Sequence, residues 1–218
     1  IVVSGIRDWY NKNKKEINEA LMISKKNLFQ LLNNQIEYNI PIISIYLKTN
    51  EIKNDHYEEQ IIKYLCEFLS NLKKDINVHK NKVKVSVLGK WYNLPSSFVN
   101  EIRDLIDETK DYDNYFLNFC LNYDGQEEIV DACKIISKKI EANIINSNSI
   151  NKDIIKENLY SSYFLPPDLI IITGKKSMTH GMLLWDSKNS IIYFSKLLWP
   201  DFEKDNFNKA INYYKKER

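Results

Sequence analysis

Apolar positions along the chain switch between two rhythms, one of alternating or continuous short runs and one of helical spacing. Ile1-Val2-Val3 is a short β-branched run stopped by Ser4-Gly5, which predicts a strand feeding a loop. From 14 to 38, Ile17, Leu21, Leu28, Leu31, Leu32 and Ile36 fall mostly at helical spacing. Residues 40–47 (IPIISIYL) predict the next strand, with Pro41 near its start, where a missing donor is tolerated. Ile61, Leu65, Phe68, Leu69, Leu72 and Ile76 mark a second amphipathic helix. Val83, Val85 and Val87 alternate with polar neighbours as in a half-buried strand. Pro95-Ser96-Ser97 then opens a helix through Phe98, Ile102, Leu105 and Ile106.

Residues 115–121 predict another strand, and a helix follows Asn122-Tyr123-Asp124-Gly125 through Ile129, Ala132, Ile135 and Ile136. A polar linker covers 143–151, with a short helix after it. Three apolar runs at 169–173, 182–185 and 191–194, bounded by Gly, Ser and Asn, read as buried strands. A last helix carries Phe207, Ile211 and Tyr214. Strand and helix alternating in this way predict an α/β fold: one domain over residues 1–218, with a mainly parallel central sheet of about six strands flanked by helices on both faces. A polar loop such as 173–181, leaving the end of a buried strand, is where an open α/β sheet takes a ligand.

Composition narrows the function classes. The chain has 218 residues, 44% hydrophobic and 28% charged, with a formal net charge of +2, so no strong field favours nucleic acid or anionic lipid. Cys66, Cys120 and Cys133 lack CxxC spacing and are expected as buried, reduced thiols. His56, His79 and His180 form no ligand cluster, so no metal site is expected in this chain. No apolar segment approaches the roughly 20 residues that span a bilayer. Thr173-Gly174-Lys175-Lys176-Ser177 has the outward form of a phosphate loop, but the glycine such a motif needs five residues before its Gly-Lys pair is Leu169 here. Lys175 and Lys176 remain able to bind an anion by charge alone. Glu127-Glu128 are adjacent on a helix and do not face one another, so surface positions are expected for both. Asp168 and Asp186 are lone aspartates. Trp185, Tyr193, Phe194 and Trp199 suit a core or an interface, since aromatics are enriched in both.

The chain resembles the cis-prenyltransferases, the family of undecaprenyl and dehydrodolichyl diphosphate synthases. The resemblance runs almost end to end. It is carried by Tyr46, by VSVLG at 85–89 followed by Leu94-Pro95, and by Asn122-Tyr123-Asp124-Gly125 with Glu128-Ile129. Pro167-Asp168-Leu169-Ile170-Ile171, Leu183-Leu184-Trp185, Tyr193-Phe194 and Trp199-Pro200-Asp201-Phe202 continue it. In that family an aspartate after the first strand helps bind Mg²⁺, and arginines, a histidine and an Arg-Thr-x-Gly-Glu-x-Arg-x-Ser loop hold two diphosphates. Few of these groups are present here. The Asp-Gly-Asn position reads Ser4-Gly5-Ile6, and the arginine before the family's tryptophan is Asp8 beside Trp9, with Arg7 next door. The Gly-His pair is Ala20-Leu21. The two loop arginines fall on Ile172 and Met178, the glutamate on Lys176 and the serine on His180. A further metal-associated glutamate falls on Ile191.

The resemblance with these losses implies a catalytically silent subunit of the Nogo-B receptor type, pairing with an active chain in a heterodimer or higher heteromer. The catalytic partner would carry the Mg²⁺ and condense isopentenyl diphosphate onto an allylic diphosphate, giving a long-chain polyprenyl diphosphate. Trp185, Tyr193 and Phe194 are the expected contact residues, because family members dimerise through this half of the fold. A cytoplasmic location with peripheral membrane contact is expected from the lipid product. Two other readings stand beside this one. The first is an active transferase using displaced groups, with Arg7, Lys175, Lys176 and His180 toward substrate. The second is a non-catalytic isoprenoid- or lipid-binding protein.

Overall fold

The computed structural model describes residues 1–47 and 56–218, with the side chains of 56–58, His56 among them, outside the description. Six strands form one sheet: β1 (Val2–Val3), β2 (Ile42–Leu47), β3 (Val83–Leu88), β4 (Tyr115–Cys120), β5 (Leu169–Thr173) and β6 (Ile191–Ser195). Their order is β3-β4-β2-β1-β5-β6, and every recorded pairing is parallel. The connecting helices are α1 (Ile6–Asn13), α2 (Ile17–Glu37), α3 (His56–Lys73), α4 (Ile76–Lys80), α5 (Ser96–Thr109), α6 (Gly125–Glu141), α7 (Lys152–Glu157) and α8 (Lys204–Glu217).

Side chains on a strand alternate between faces, and the burial follows that period. Ile43, Ile45 and Leu47 of β2, Leu117 and Phe119 of β4 and Ile171 of β5 enter the larger core. α2, α3, α5 and α8 supply its other side through Leu28, Leu32, Phe68, Leu72, Phe98, Ile102 and Phe207. Phe68 is the hub, with ring centroids 5.2 Å from Phe29 and 5.7 Å from Phe119, both edge to face. Val2, Tyr46, Cys120, Ile170 and Ile172 point to the opposite face. There they meet Tyr123, Met182 and Leu183, with Tyr160 and Phe164 partly buried against them.

The sheet class and order of elements agree with the sequence pattern; five local expectations do not. The apolar run 182–185 is a turn rather than a strand, with positive φ at Gly181 (72°) and Leu183 (46°) and a 3-10 turn at Asp186–Asn189 after it. Ile76 does not continue the helix of Ile61 and Leu72: Asp75 caps a new short helix, accepting from the Asn77 N–H at 2.7 Å, and Ile76 is exposed. Residues 6–13, where the apolar pattern marks no helix, form α1. Of the three cysteines, only Cys120 is buried; Cys133 is exposed on α6 and Cys66 is half-buried. Glu128 is no surface residue, being 1% exposed, because it lies four and eight residues before the buried Ala132 and Ile136 on one helix face.

Candidate functional site

β1 runs between β2 and β5, so the chain passes to opposite sides of it before and after the middle of the sequence. The crevice of an open parallel sheet lies at such a switch point, beyond the carboxyl ends of the strands. Here those ends are Ser4-Gly5 after β1 and Gly174-Lys175-Lys176 after β5.

The two ends are tied together tightly. Thr173 is fully buried; its Oγ1 accepts from the Ser4 N–H at 3.0 Å and donates to the Val2 carbonyl at 3.0 Å. The Trp199 N–H donates to the Ser4 carbonyl (3.0 Å) and the Gly174 N–H to the Leu197 carbonyl (2.7 Å). Gly174, at φ 110°, lies so close to Ser4 that a Cβ would stand 3.1 Å from the serine Oγ. Gly5, at φ 90°, faces Leu198 in the same way, with 2.6 Å between a built Cβ and Leu198 Cδ2. Trp9 Nε1 donates to Asp201 Oδ1 at 2.6 Å and fastens α1 to the segment after β6.

The chemistry at this end is apolar. Trp9, Ala20 and Leu198 form a small buried cluster, with Ile6, Tyr10 and Ile23 packed against it. Leu21 is buried in the larger core and Ile172 in the cluster on the opposite face. Arg7, Asp8, Lys175, Lys176 and Met178 are exposed, and His180 is half-buried at φ 53°. The structure thus gathers Ser4, Ile6 and Gly174 at one crevice. It does not gather Ile191, which is level with Leu169 at the start of β6. Four residues of strand, about 13 Å, separate that level from the Thr173 end. Among the described residues no group of three or more His, Cys, Asp or Glu is placed to hold a metal ion. Asp201, the carboxylate bonded to Trp9, is already engaged, and the position after β1 offers only a serine hydroxyl. A hard divalent cation needs oxygen ligands with charge, and this donor set does not fit one.

The aromatic frame divides. Trp199 is wholly buried, held by its Nε1–H to the Ser24 carbonyl (3.4 Å) and by a ring stacked 5.9 Å from Phe202. Tyr193 is half-buried against the core and 5.4 Å from the Tyr213 ring. Phe194 is 43% exposed and Leu184 40%, and Trp185 is half-buried. β6, which carries Tyr193 and Phe194, is an edge strand.

Sequence reasoning missed a buried polar cluster beside the 182–185 turn. Tyr123 Oη donates to Glu128 Oε2 (2.5 Å), and the Ser161 N–H donates to Glu128 Oε1 (3.1 Å). Ser161 Oγ (2.7 Å) and Lys156 Nζ (2.6 Å) both donate to Asp186 Oδ2. Burial, then the Asp186 charge, raises the Glu128 carboxyl above its ordinary range against the pull of its donors. The helical period through 128, 132 and 136 was the available signal; Lys156 and Ser161 gave none.

An apolar cavity of about 280 Å³ lies at the other end of the sheet, lined by Ile42, Ser44, Phe164, Leu165, Ile170 and Phe207. Its lining takes in the starts of β2 and β5 and includes neither Ser4 nor Gly174. No helix among the described residues is long and apolar enough to cross a membrane.

The family model described as "Putative undecaprenyl diphosphate synthase" matches residues 2–218. A tritrans,polycis-undecaprenyl-diphosphate synthase (geranylgeranyl-diphosphate specific) of Thermoplasma volcanium is 33% identical over 204 residues, 92% of this chain and 79% of the relative. Dehydrodolichyl diphosphate synthase 1 of Arabidopsis thaliana is 28% identical over 221 residues, covering 100% and 73%. Among solved structures, lavandulyl diphosphate synthase from Lavandula x intermedia in complex with dimethylallyl diphosphate superposes with a TM-score of 0.92 at 20% identity, over 98% of this chain and 92% of that one.

Proposed function

The chain belongs to the cis-prenyltransferase family of undecaprenyl diphosphate synthases, and from that premise we propose that it is a non-catalytic subunit supporting an active family member. The observation that carries this reading is the crevice after β1. It keeps the family's backbone frame, tied through Thr173 and Trp199, while presenting Ser4 and Ile6 beside an apolar cluster of Trp9, Ala20 and Leu198.

Two diphosphates side by side need fixed cations and donors. Each hydrogen bond to a charged group contributes about 1.5–3 kcal/mol, and about 1.4 kcal/mol is tenfold in affinity. With both loop arginines, the histidine and the aspartate replaced, diphosphate affinity falls by several decades even when losses overlap. An apolar lining is also a poor setting for an anion. The residues that remain do not fit a Mg²⁺–diphosphate complex, so no condensation step is assigned to this chain.

What the chain offers instead is a preserved fold with an exposed edge. Phe194 and Leu184 are apolar and exposed, Trp185 is half-buried, and β6 has an open side. An active homologue docked there would cover these side chains, and would hold the Mg²⁺ and perform the chain elongation. Co-expression with an active family member tests this: the two chains should copurify, and the complex should exceed the active chain alone in isopentenyl diphosphate incorporation. Failure to copurify with any family member from the source organism would overturn it.

A second reading, an active transferase with displaced groups, is favoured by the relatives, whose names are those of synthases. It would use Arg7, Lys175, Lys176 and His180, and it requires turnover by the chain alone that falls on Lys176→Ala.

A further inference from the structure

The turn 181–186 rests on α6 at two points. At the first, α6 starts with Gly125, and a Cβ there would stand 2.2 Å from the Gly181 carbonyl oxygen and 2.7 Å from Leu184 Cβ. The second is the buried cluster. Glu128 of α6 is joined through Ser161 to Asp186, which closes the turn, and Lys156 donates to Asp186 and to the Ser161 carbonyl (2.8 Å). Three segments distant in sequence meet in a space where Tyr123, Glu128, Ser161 and Asp186 are each at most 7% exposed.

The charges in that space do not balance. It holds two carboxylates, Glu128 and Asp186, and one ammonium, Lys156, which pairs with Asp186. Glu128 has two neutral donors and, among the described residues, no cation bonded to it. The other titratable groups that face it are Tyr123, Tyr160 and Cys120, all held neutral by burial well above their ordinary values. Asp131, next along α6, takes Tyr160 Oη, Lys90 (3.1 Å) and Lys134 (3.1 Å) on its outer side, and Glu127 takes Lys90 (2.5 Å). Those cations are spent on those carboxylates. Glu128 is left without a bonded cation among the described residues, and Lys156 acts on it only through space.

We propose that Glu128, Ser161, Asp186 and Lys156 form a proton-operated latch that sets how firmly the 181–186 turn is docked on α6, and so how Leu184 and Trp185 are presented. Protonated, Glu128 still accepts from the Ser161 N–H and removes the unpaired charge. Ionised, it repels Asp186 and weakens the docking. Burial and Asp186 both favour the protonated form in the folded protein. The docked turn is therefore most secure below the ordinary glutamate range and loosens as pH rises through the folded value. A single proton changes the opening equilibrium by up to about tenfold per pH unit. The latch is independent of the reading of this chain as an accessory subunit.

Amide exchange over residues 181–190, corrected for intrinsic rates and followed from pH 5 to pH 8, tests it. Protection should fall with rising pH in the wild type and stay flat in Glu128→Gln. Should Glu128→Gln not fold, two other variants carry the test. Lys156→Met removes the nearest cation and should move the midpoint to higher pH; Asp186→Asn removes the repelling carboxylate and should move it lower. A wild-type profile in Glu128→Gln, a flat profile in the wild type, or shifts of the same sign in Lys156→Met and Asp186→Asn would each overturn the latch.

Discussion

Gly125→Ala is the perturbation whose outcome the structure specifies most fully. The added carbon would sit 2.2 Å from the Gly181 carbonyl oxygen, whereas carbon and oxygen settle at about 3.3–3.6 Å. Something must retreat by about 1 Å, and the obstacle is main chain, which cannot swing aside as a side chain would. Leu184 Cβ, at 2.7 Å, blocks the alternative direction. Overpacking of this kind costs about 1–3 kcal/mol. Alanine returns part of that, up to about 1 kcal/mol, by stiffening the unfolded chain and favouring helix. For a protein of this size each kcal/mol moves the midpoint by about 2–4 °C. The expected result is a drop of several degrees in Tm together with faster amide exchange confined to 181–186. A Tm at or above the wild type with unchanged exchange in the turn would refute the tight docking of this turn on α6.

Two other outcomes follow from named contacts. Thr173→Val keeps shape but strands the Ser4 N–H, a cost of about 1–3 kcal/mol, read as a lower Tm; an unchanged Tm would mean that this group finds another partner. Phe194→Glu alters an exposed side chain on the edge strand, so it should leave Tm within about 1 °C while abolishing copurification with an active family member. Loss of stability instead would place Phe194 in the core of this chain.

The sheet was legible because five of its six strands are apolar or alternating runs of five or six residues and its helices keep a clean period, as at Leu28-Leu31-Leu32 and Phe98-Ile102-Leu105. The 182–185 run misled because an apolar turn packed against a core looks, in sequence, like a buried strand; the positive φ at Gly181 and Leu183 and the lack of a place in the sheet distinguish them. α1 was hidden because just one of its eight residues, Trp9, is buried. At the site, the places of Ser4 and Ile6 just after β1 could be read off by position. That Ile191 stands some 13 Å along the sheet from the crevice could not, since strand register fixes it. The Glu128 cluster depends on contacts among 123–128, 156–161 and 186, and no local pattern announces those.

A non-catalytic subunit, as proposed, condenses no isoprene units by itself. The direct measurement is incorporation of radiolabelled isopentenyl diphosphate into butanol-extractable product by the purified chain, with Mg²⁺ and an allylic diphosphate primer at saturating concentration. No product above the no-enzyme blank is expected. Processive, Mg²⁺-dependent product formation by this chain alone, abolished by Lys176→Ala, would contradict it.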